Sequence, residues 1–203
     1  IARRQRQMCI RDRLWVPLAA AMLHRGVPGW GRWPVALRLW AGLALIACAW
    51  LALVQARGLG LGFLLSVLTL VWMADIAAYF GGKTFGRRKL APTISPGKSW
   101  EGVFSGMAGV AMLALGWLWL DAQGHSDGPS LFTRLWSFGP LLALPALLFL
   151  TAMSVVGDLV ESLVKRSAGM KDSSQLLPGH GGVLDRVDAL LPVLPLAMMF
   201  ATL

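Results

Sequence analysis

Between Lys165 and Asp188 the chain reads KRSAGMKDSSQLLPGHGGVLDRVD, with charged groups packed between segments that are otherwise strongly apolar. Asp185 and Asp188 are three residues apart, so on a helix they share one face and can grip a single cation. Asp158 closes the preceding apolar run in SVVGDLVESLVKR, with Glu161, Ser162 and Lys165 on the adjoining turns. Two helix ends joined by a tight loop would aim Asp158, Asp185 and Asp188 at one point. Oxygen ligands with neither a cysteine nor a histidine cluster favour a hard cation such as Mg²⁺. Such an ion takes one or two carboxylates and completes its shell with waters and substrate phosphates. An isolated Asp185 would read as a structural bridge to Arg186 or Lys165. Three acids beside a glycine-rich loop, near membrane depth, read as a metal site.

The PGHGG stretch, residues 178–182, offers backbone N–H groups that approach an anion closely at the start of a following helix. Lys165, Arg166, Lys171 and Arg186 surround it, which turns a plain interhelical turn towards a polyphosphate. His180 is placed to donate to a phosphate or to protonate a leaving group. A second basic loop, GGKTFGRRKLAPTISPGKSWEG, ends in a PGKS that superficially matches a phosphate-binding P-loop. That motif requires glycine where Pro92 stands and a strand ahead of it, so a P-loop is excluded. Lys98 and Ser99 still meet a phosphate at the entry to an apolar run, whereas Arg87, Arg88 and Lys89 suit lipid anchoring. Asp75 interrupts the preceding apolar run near its basic end and is expected to wall the same site. Gly102 with Gly106, and Gly58 with Gly62, have the spacing of helix packing.

The elements that must carry these residues are membrane helices. The chain has 203 residues, 56% hydrophobic and only 14% charged, with mean hydropathy +0.62. The apolar residues fall in long blocks rather than alternating, against a norm of about one quarter charged in soluble domains. Blocks at 34–54, 60–81, 100–120, 138–160 and 184–203 reach the length of a bilayer span. The expected fold is an all-α polytopic integral membrane protein with about five transmembrane helices. Residues 14–24 are too short for a span and are expected to end one lost upstream. The expected domains are an N-terminal segment at 1–33, within which 1–13 has the look of a translated adapter sequence, and one transmembrane catalytic domain at 34–203.

Net charge is +9, which in a soluble protein would point to nucleic acid. Here the basic residues flank apolar blocks, so topology and anionic lipid account for them and no nucleic-acid partner is expected. Five alternating spans put the basic loops 82–99 and 161–182 on one face, the cytoplasmic one by the positive-inside rule. Asp75, Glu101, Asp158, Glu161, Asp172, Asp185 and Asp188 all lie in or beside span ends on that face. Trp30, Trp33, Trp100 and Trp136 fit an interfacial belt. Cys9 and Cys48 have no metal-binding spacing.

The C-terminal residues resemble the signature of the phosphatidate cytidylyltransferase family. Its order is S-x-φ-K-R, four residues, K-D, then a spacer to H-G-G-φ-x-D-R-φ-D. Ser162, Lys165, Arg166, Lys171, Asp172, His180, Gly181, Gly182, Asp185, Arg186 and Asp188 follow that order without a gap. The stretch ADIAAYFGGKTFGRRKLAPTISPGKSWEG is similar to the family's middle segment, and the resemblance covers residues 60–203. It implies an integral membrane enzyme of the inner membrane, active site facing the cytoplasm, that makes CDP-diacylglycerol and pyrophosphate from CTP and phosphatidate. It also implies Mg²⁺ with K⁺ as a companion, a homodimer, and further N-terminal spans preceding this chain. By position the metal ligands would be Asp158, Asp185 and Asp188. Lys165, Arg166, Lys171 and Arg186 would meet phosphates and the Gly181–Gly182 backbone the nucleotide. Two alternatives stay open: a CTP-dependent enzyme acting on an archaeal ether lipid or a polyprenol, and a cation transporter with intramembrane carboxylates.

Overall fold

The computed structural model describes residues 15–124, 126–174 and 182–202. The stretch 1–13, His180 and Gly181 lie outside these described residues. Helix α1 (Trp15–Gly31) is broken at Gly26, whose φ of 63° leaves the helical region. Pro34 then precedes α2 (Val35–Gly58). Gly60, at φ 124°, turns the chain into α3 (Leu61–Phe85). The basic loop that follows is ordered as a two-stranded antiparallel hairpin, β1 (Lys89–Ala91) with β2 (Ser95–Ser99). Ser99 caps α4 (Trp100–Ala122) by accepting the Gly102 N–H at 3.2 Å. The Glu101 carboxylate accepts the Arg87 and Arg88 N–H groups at 3.1 and 3.2 Å, closing the hairpin onto α4. Beyond α4 come the short α5 (Leu131–Trp136) and the long α6 (Pro140–Ser167). A single turn, α7 (Leu184–Val187), leads into α8 (Leu190–Ala201).

Helices α2, α3, α4 and α6 are long and apolar enough to span a membrane, with span hydropathies of 1.8 to 2.0. The all-α polytopic fold is as expected, and the fifth block is where the structure differs. Residues 184–203 are divided into α7 and α8 with Asp188 and Ala189 between them still in helical φ/ψ, and α8 alone has 12 residues. Val193, Leu196 and Ala197 of α8 are buried inside the bundle, so its hydrophobicity serves protein packing. α1 packs on α6 and places Ala19, Met22 and Trp30 in the core. Trp30 is therefore a packed residue beside Trp33 and no interfacial anchor, whereas Trp100 and Trp136 remain exposed.

The tightest helix pair is α3 with α4, and its contact is made by small residues. A Cβ on Gly102 would stand 2.9 Å from the Ala78 carbonyl oxygen, and one on Gly106 3.0 Å from that of Ala74. The packing expected of Gly102 and Gly106 is thus present. Gly58 and Gly62 do not act as such a pair, because the chain turn at Gly60 puts them on different helices. One end of the bundle is closed by polar staples: Asp121 accepts from Ser126 and Ser130, and Ser66 Oγ accepts the Leu131 N–H at 2.9 Å. At the other end the hairpin meets the C-terminal half of α6, so both basic loops lie together as expected.

Because the atoms facing Gly106 belong to backbone and cannot swing away, Gly106→Leu should destabilise the fold by about 1–3 kcal/mol. Gly116→Ala, at a position with nothing within 4 Å of its Cβ, should be neutral or stabilising. Thermal unfolding of both variants in detergent micelles checks the contrast.

Candidate functional site

At the end of the bundle that carries the basic loops, α6 presents Asp158 and Glu161 three residues apart on one face. The turn between α7 and α8 brings Asp188 against them. One oxygen from each of Asp158, Glu161 and Asp188 lies within 4.8 Å of the others. Gly157 permits this approach, since a Cβ there would be 2.7 Å from the Asp188 carbonyl oxygen and 3.0 Å from the Ala189 Cα. Glu161 and Asp188 are buried, and the Glu161 Oε1 atom has no hydrogen-bond partner among the described residues. Asp188 lies outside the four spanning helices; burial and the Asp158 carboxylate push it up to about 7. Three acids gathered in this way, one with an unanswered oxygen, have the composition of a hard-cation site.

Asp185 has a different place from the one expected of it. Its carboxylate is not in the group of three but turned towards Lys165, whose Nζ lies 2.7 Å away. It also accepts the Ser173 N–H and hydroxyl, both at 3.0 Å, and the Gly182 N–H at 2.7 Å. The Lys165 ammonium and the Ser173 and Gly182 N–H groups together draw the Asp185 carboxylate to their side. Lys165 simultaneously bonds Glu161 at 2.6 Å, so it bridges the two acids. The neighbouring Glu161 side chain, then Lys165 and the Gly182 and Ser173 N–H groups, hold Asp185 well below the usual carboxylate range, against the effect of its burial. In the grouping of acids, Glu161 takes the position expected of Asp185. Its spacing, three after Asp158 and four before Lys165, was the available sequence signal.

Lys98, on β2, forms an ion pair with Asp158 at 2.6 Å and reaches the Val155 carbonyl at 3.5 Å. These two residues, with Asp75, Tyr79, Lys83 and Gly97, line a cavity of about 520 Å³ between α3, the hairpin and α6. Asp75 is thus brought to the site from α3 as expected. Ser99 borders the same cavity, but its buried hydroxyl is occupied in capping α4. Ser162 donates to Asp158 at 3.3 Å. Arg166, Lys171, Asp172 and Arg186 are exposed around the rim and do not enter the group of three carboxylates. Gly182 is buried and its N–H is directed at Asp185.

Comparison with known proteins finds a match to the Cytidylyltransferase family over residues 3–203, which includes most of the stretch 1–13 set aside above. The chain is 46% identical to a phosphatidate cytidylyltransferase of Pseudomonas aeruginosa over 188 residues, 90% of this chain and 64% of that protein. It is 48% identical to one of Haemophilus influenzae over 141 residues, 70% of this chain and 46% of that protein. It is 37% identical to one of Staphylococcus epidermidis over 154 residues, 76% of this chain and 54% of that protein. The chain therefore spans about half to two thirds of the length of the curated relatives it matches.

Asp185→Asn should remove the charge and one of the two acceptor oxygens that serve Lys165, Ser173 and Gly182, and lower stability at neutral pH by about 2 kcal/mol. Since the folded carboxyl is held below its unfolded value of about 3.9, that contribution is complete above this value and is lost as pH falls through the folded one. Melting temperatures in detergent should differ between wild type and D185N at pH 7 and pH 5, and the difference should begin to narrow only as pH falls below about 4.

Proposed function

The chain belongs to the cytidylyltransferase family, and from that premise we propose that it transfers the cytidylyl group of CTP to phosphatidate, giving CDP-diacylglycerol and pyrophosphate. The observation that carries the reading is the group of Asp158, Glu161 and Asp188 at one end of membrane-spanning helices, beside a polar cavity. A water-borne nucleotide and a bilayer-anchored phosphate meet only at such an end. The relatives' names support this substrate pair over an ether lipid or a polyprenol. The transporter alternative has less support, because the acids gather at one end. At the other end Asp121 is engaged by serine hydrogen bonds.

Mg²⁺ fits the acid group by its oxygen-only donors and by the unanswered Glu161 Oε1, and Asp158, Glu161 and Asp188 would hold it. When bound, it supplies charge neutralisation on the phosphates. K⁺ as a companion and a homodimer belong to the same proposal on the strength of the family resemblance. The two basic loops at the site's end favour the cytoplasmic face of the inner membrane for it.

The chemistry asks little covalent work of the protein. A phosphatidate oxygen, already anionic, attacks the α-phosphorus of CTP in line; its bond forms as the bond to the pyrophosphate oxygen breaks. No side chain is needed to remove a proton from the attacking group. The obstacle is repulsion between two polyanions, and Lys98, held at the cavity wall by Asp158, offsets it where charge develops. Lys83 lines the same cavity and adds a second cation. Arg166, Lys171 and Arg186 at the rim gather phosphates before they enter. His180 and the Gly181 backbone keep their proposed roles towards the leaving group and the nucleotide.

Pyrophosphate release from CTP by the full-length protein, offered phosphatidate or a polyprenol lipid in parallel, tests the reading. Turnover is expected with phosphatidate and Mg²⁺, and Asp188→Asn should lower it by about a hundredfold or more. Wild-type-like turnover in D188N would sink the metal assignment, and turnover with the polyprenol alone would sink the substrate.

A further inference from the structure

A cavity of about 620 Å³ lies where α3 passes into the hairpin and α4 begins. None of its lining residues belongs to the acid group or to the polar cavity. On α4, Trp100, Glu101 and Phe104 fall within an arc of about 100° around the helix, and Gly102 and Val103, which line the polar cavity, lie outside that arc. Arg87 and Arg88 supply the charged wall. The Glu101 carboxylate beside them accepts their backbone N–H groups, and among the described residues neither guanidinium forms an ion pair. The cavity thus has two cations against a single carboxylate whose oxygens are already engaged by backbone. Its other wall is aromatic: Phe85, Trp100 and Phe104 are all exposed, and the Trp100 and Phe104 rings stand 6.3 Å apart. From Phe104 an exposed apolar stripe runs along the same face of α4 through Met112, Leu115 and Trp119, over about 22 Å.

We propose that this cavity holds an anionic phospholipid that is not turned over, with Arg87 and Arg88 on its phosphate, the Trp100 and Phe104 rings against its glycerol region, and the α4 stripe along an acyl chain. The order of chemistry, cations at the end of a span, a tryptophan beside them and an apolar face beyond, is the order of groups in a lipid at the bilayer surface. A guanidinium presents parallel N–H groups to a phosphate and is less strongly hydrated than an ammonium, so a pair of arginines suits a phosphate held at this level. A small soluble anion would leave the aromatic wall and the stripe without a purpose. Anchoring by scattered basic residues needs no cavity and would treat Arg87, Arg88 and Lys89 alike. The structure distinguishes them, since both arginines line the cavity and Lys89 does not. With no acid of the group of three on its wall, a phosphate held here stands outside the assigned reaction, and the inference does not depend on that reaction.

The test is thermal unfolding of the full-length protein in nanodiscs of phosphatidylcholine alone and of phosphatidylcholine with phosphatidylglycerol at about 4:1. Wild type should melt about 2–6 °C higher when phosphatidylglycerol is present. Arg87→Gln combined with Arg88→Gln should abolish that gain while melting like wild type in phosphatidylcholine, and the corresponding double lysine substitution should keep part of it. Phe104→Ala should reduce the gain with every charge in place, and Lys89→Gln should retain it. Three results would each overturn the inference. A loss in K89Q equal to that of the double arginine variant would mean diffuse surface attraction. A wild type that does not respond to phosphatidylglycerol would mean that protein, from this chain or a second copy, covers the cavity. A gain reproduced by soluble glycerol 3-phosphate would mean a phosphate site without a lipid. Formation of CDP-diacylglycerol by the same samples reports separately on the assigned reaction.

Discussion

The ammonium of Lys165, held between Glu161 and Asp185, is the contact on which the rest of the site depends. Glu161 belongs to α6 and Asp185 to α7, so this one cation fixes the last turns of a spanning helix against the start of the C-terminal pair. Asp185 in turn gathers Ser173 and Gly182, which pins both described ends of the intervening loop to the same point. Only with α7 held there does the following turn deliver Asp188 to Asp158 and Glu161. Gly157 makes the final approach possible by keeping α6 bare where that turn crosses it. A buried ion pair of this kind is weak evidence for net stability, because desolvation offsets much of the Coulomb attraction. Its value here is positional. It turns Asp185 towards Lys165 while Asp158, Glu161 and Asp188 face one another.

The acids themselves are tolerable only because of where the bundle ends. Carboxylates taken from water towards membrane depth become costly unless they are paired, hydrated or bound to a cation. The structure divides its acids among these remedies. Glu101 is taken up by backbone N–H groups of the hairpin, Asp185 by Lys165 and two loop amides, and Asp158 by Lys98. Asp188 has only the Ala189 N–H, and Glu161 keeps one oxygen unanswered, so the remaining shortage of positive charge falls on the group of three. That shortage is what a divalent ion would relieve, and the elevated pKa of Asp188 expresses the same imbalance.

Much of this was legible in the sequence, and the exceptions share a cause. Hydropathy marked α2, α3, α4 and α6 correctly because they both face lipid and have the length to cross it. It failed for α8, since an apolar run buried in protein and one facing lipid have the same composition. The helical ladder is interrupted at Asp188 and Ala189 with both residues in helical φ/ψ, a change no glycine announces. The engagement of Asp185 by Lys165, Ser173 and Gly182 is likewise a set of contacts that spacing alone does not reveal. The hairpin at 89–99 escaped notice because strands of three and five residues are too short for alternation to register. By contrast, Asp158, Lys98 and Asp75 could be placed together because each is a charge at the same end of an apolar run, a signal independent of detailed packing.

Two unlike cavities beside the acids set a last constraint on the architecture. They open from adjoining faces of α6, since residues three apart on a helix stand about 60° apart around it. The hairpin and α3 give Asp158 a polar neighbour space, while α1 and α2 give Glu161 an apolar one. Because Asp158 and Glu161 are only three residues apart on a helix, the two cavities meet at the acids. The hairpin needs only its short ladder, since its work is to hold Lys98 at the wall while Glu101 anchors its base. A rigid helix that carries one acid towards each space therefore brings both to Asp188 without merging the two cavities.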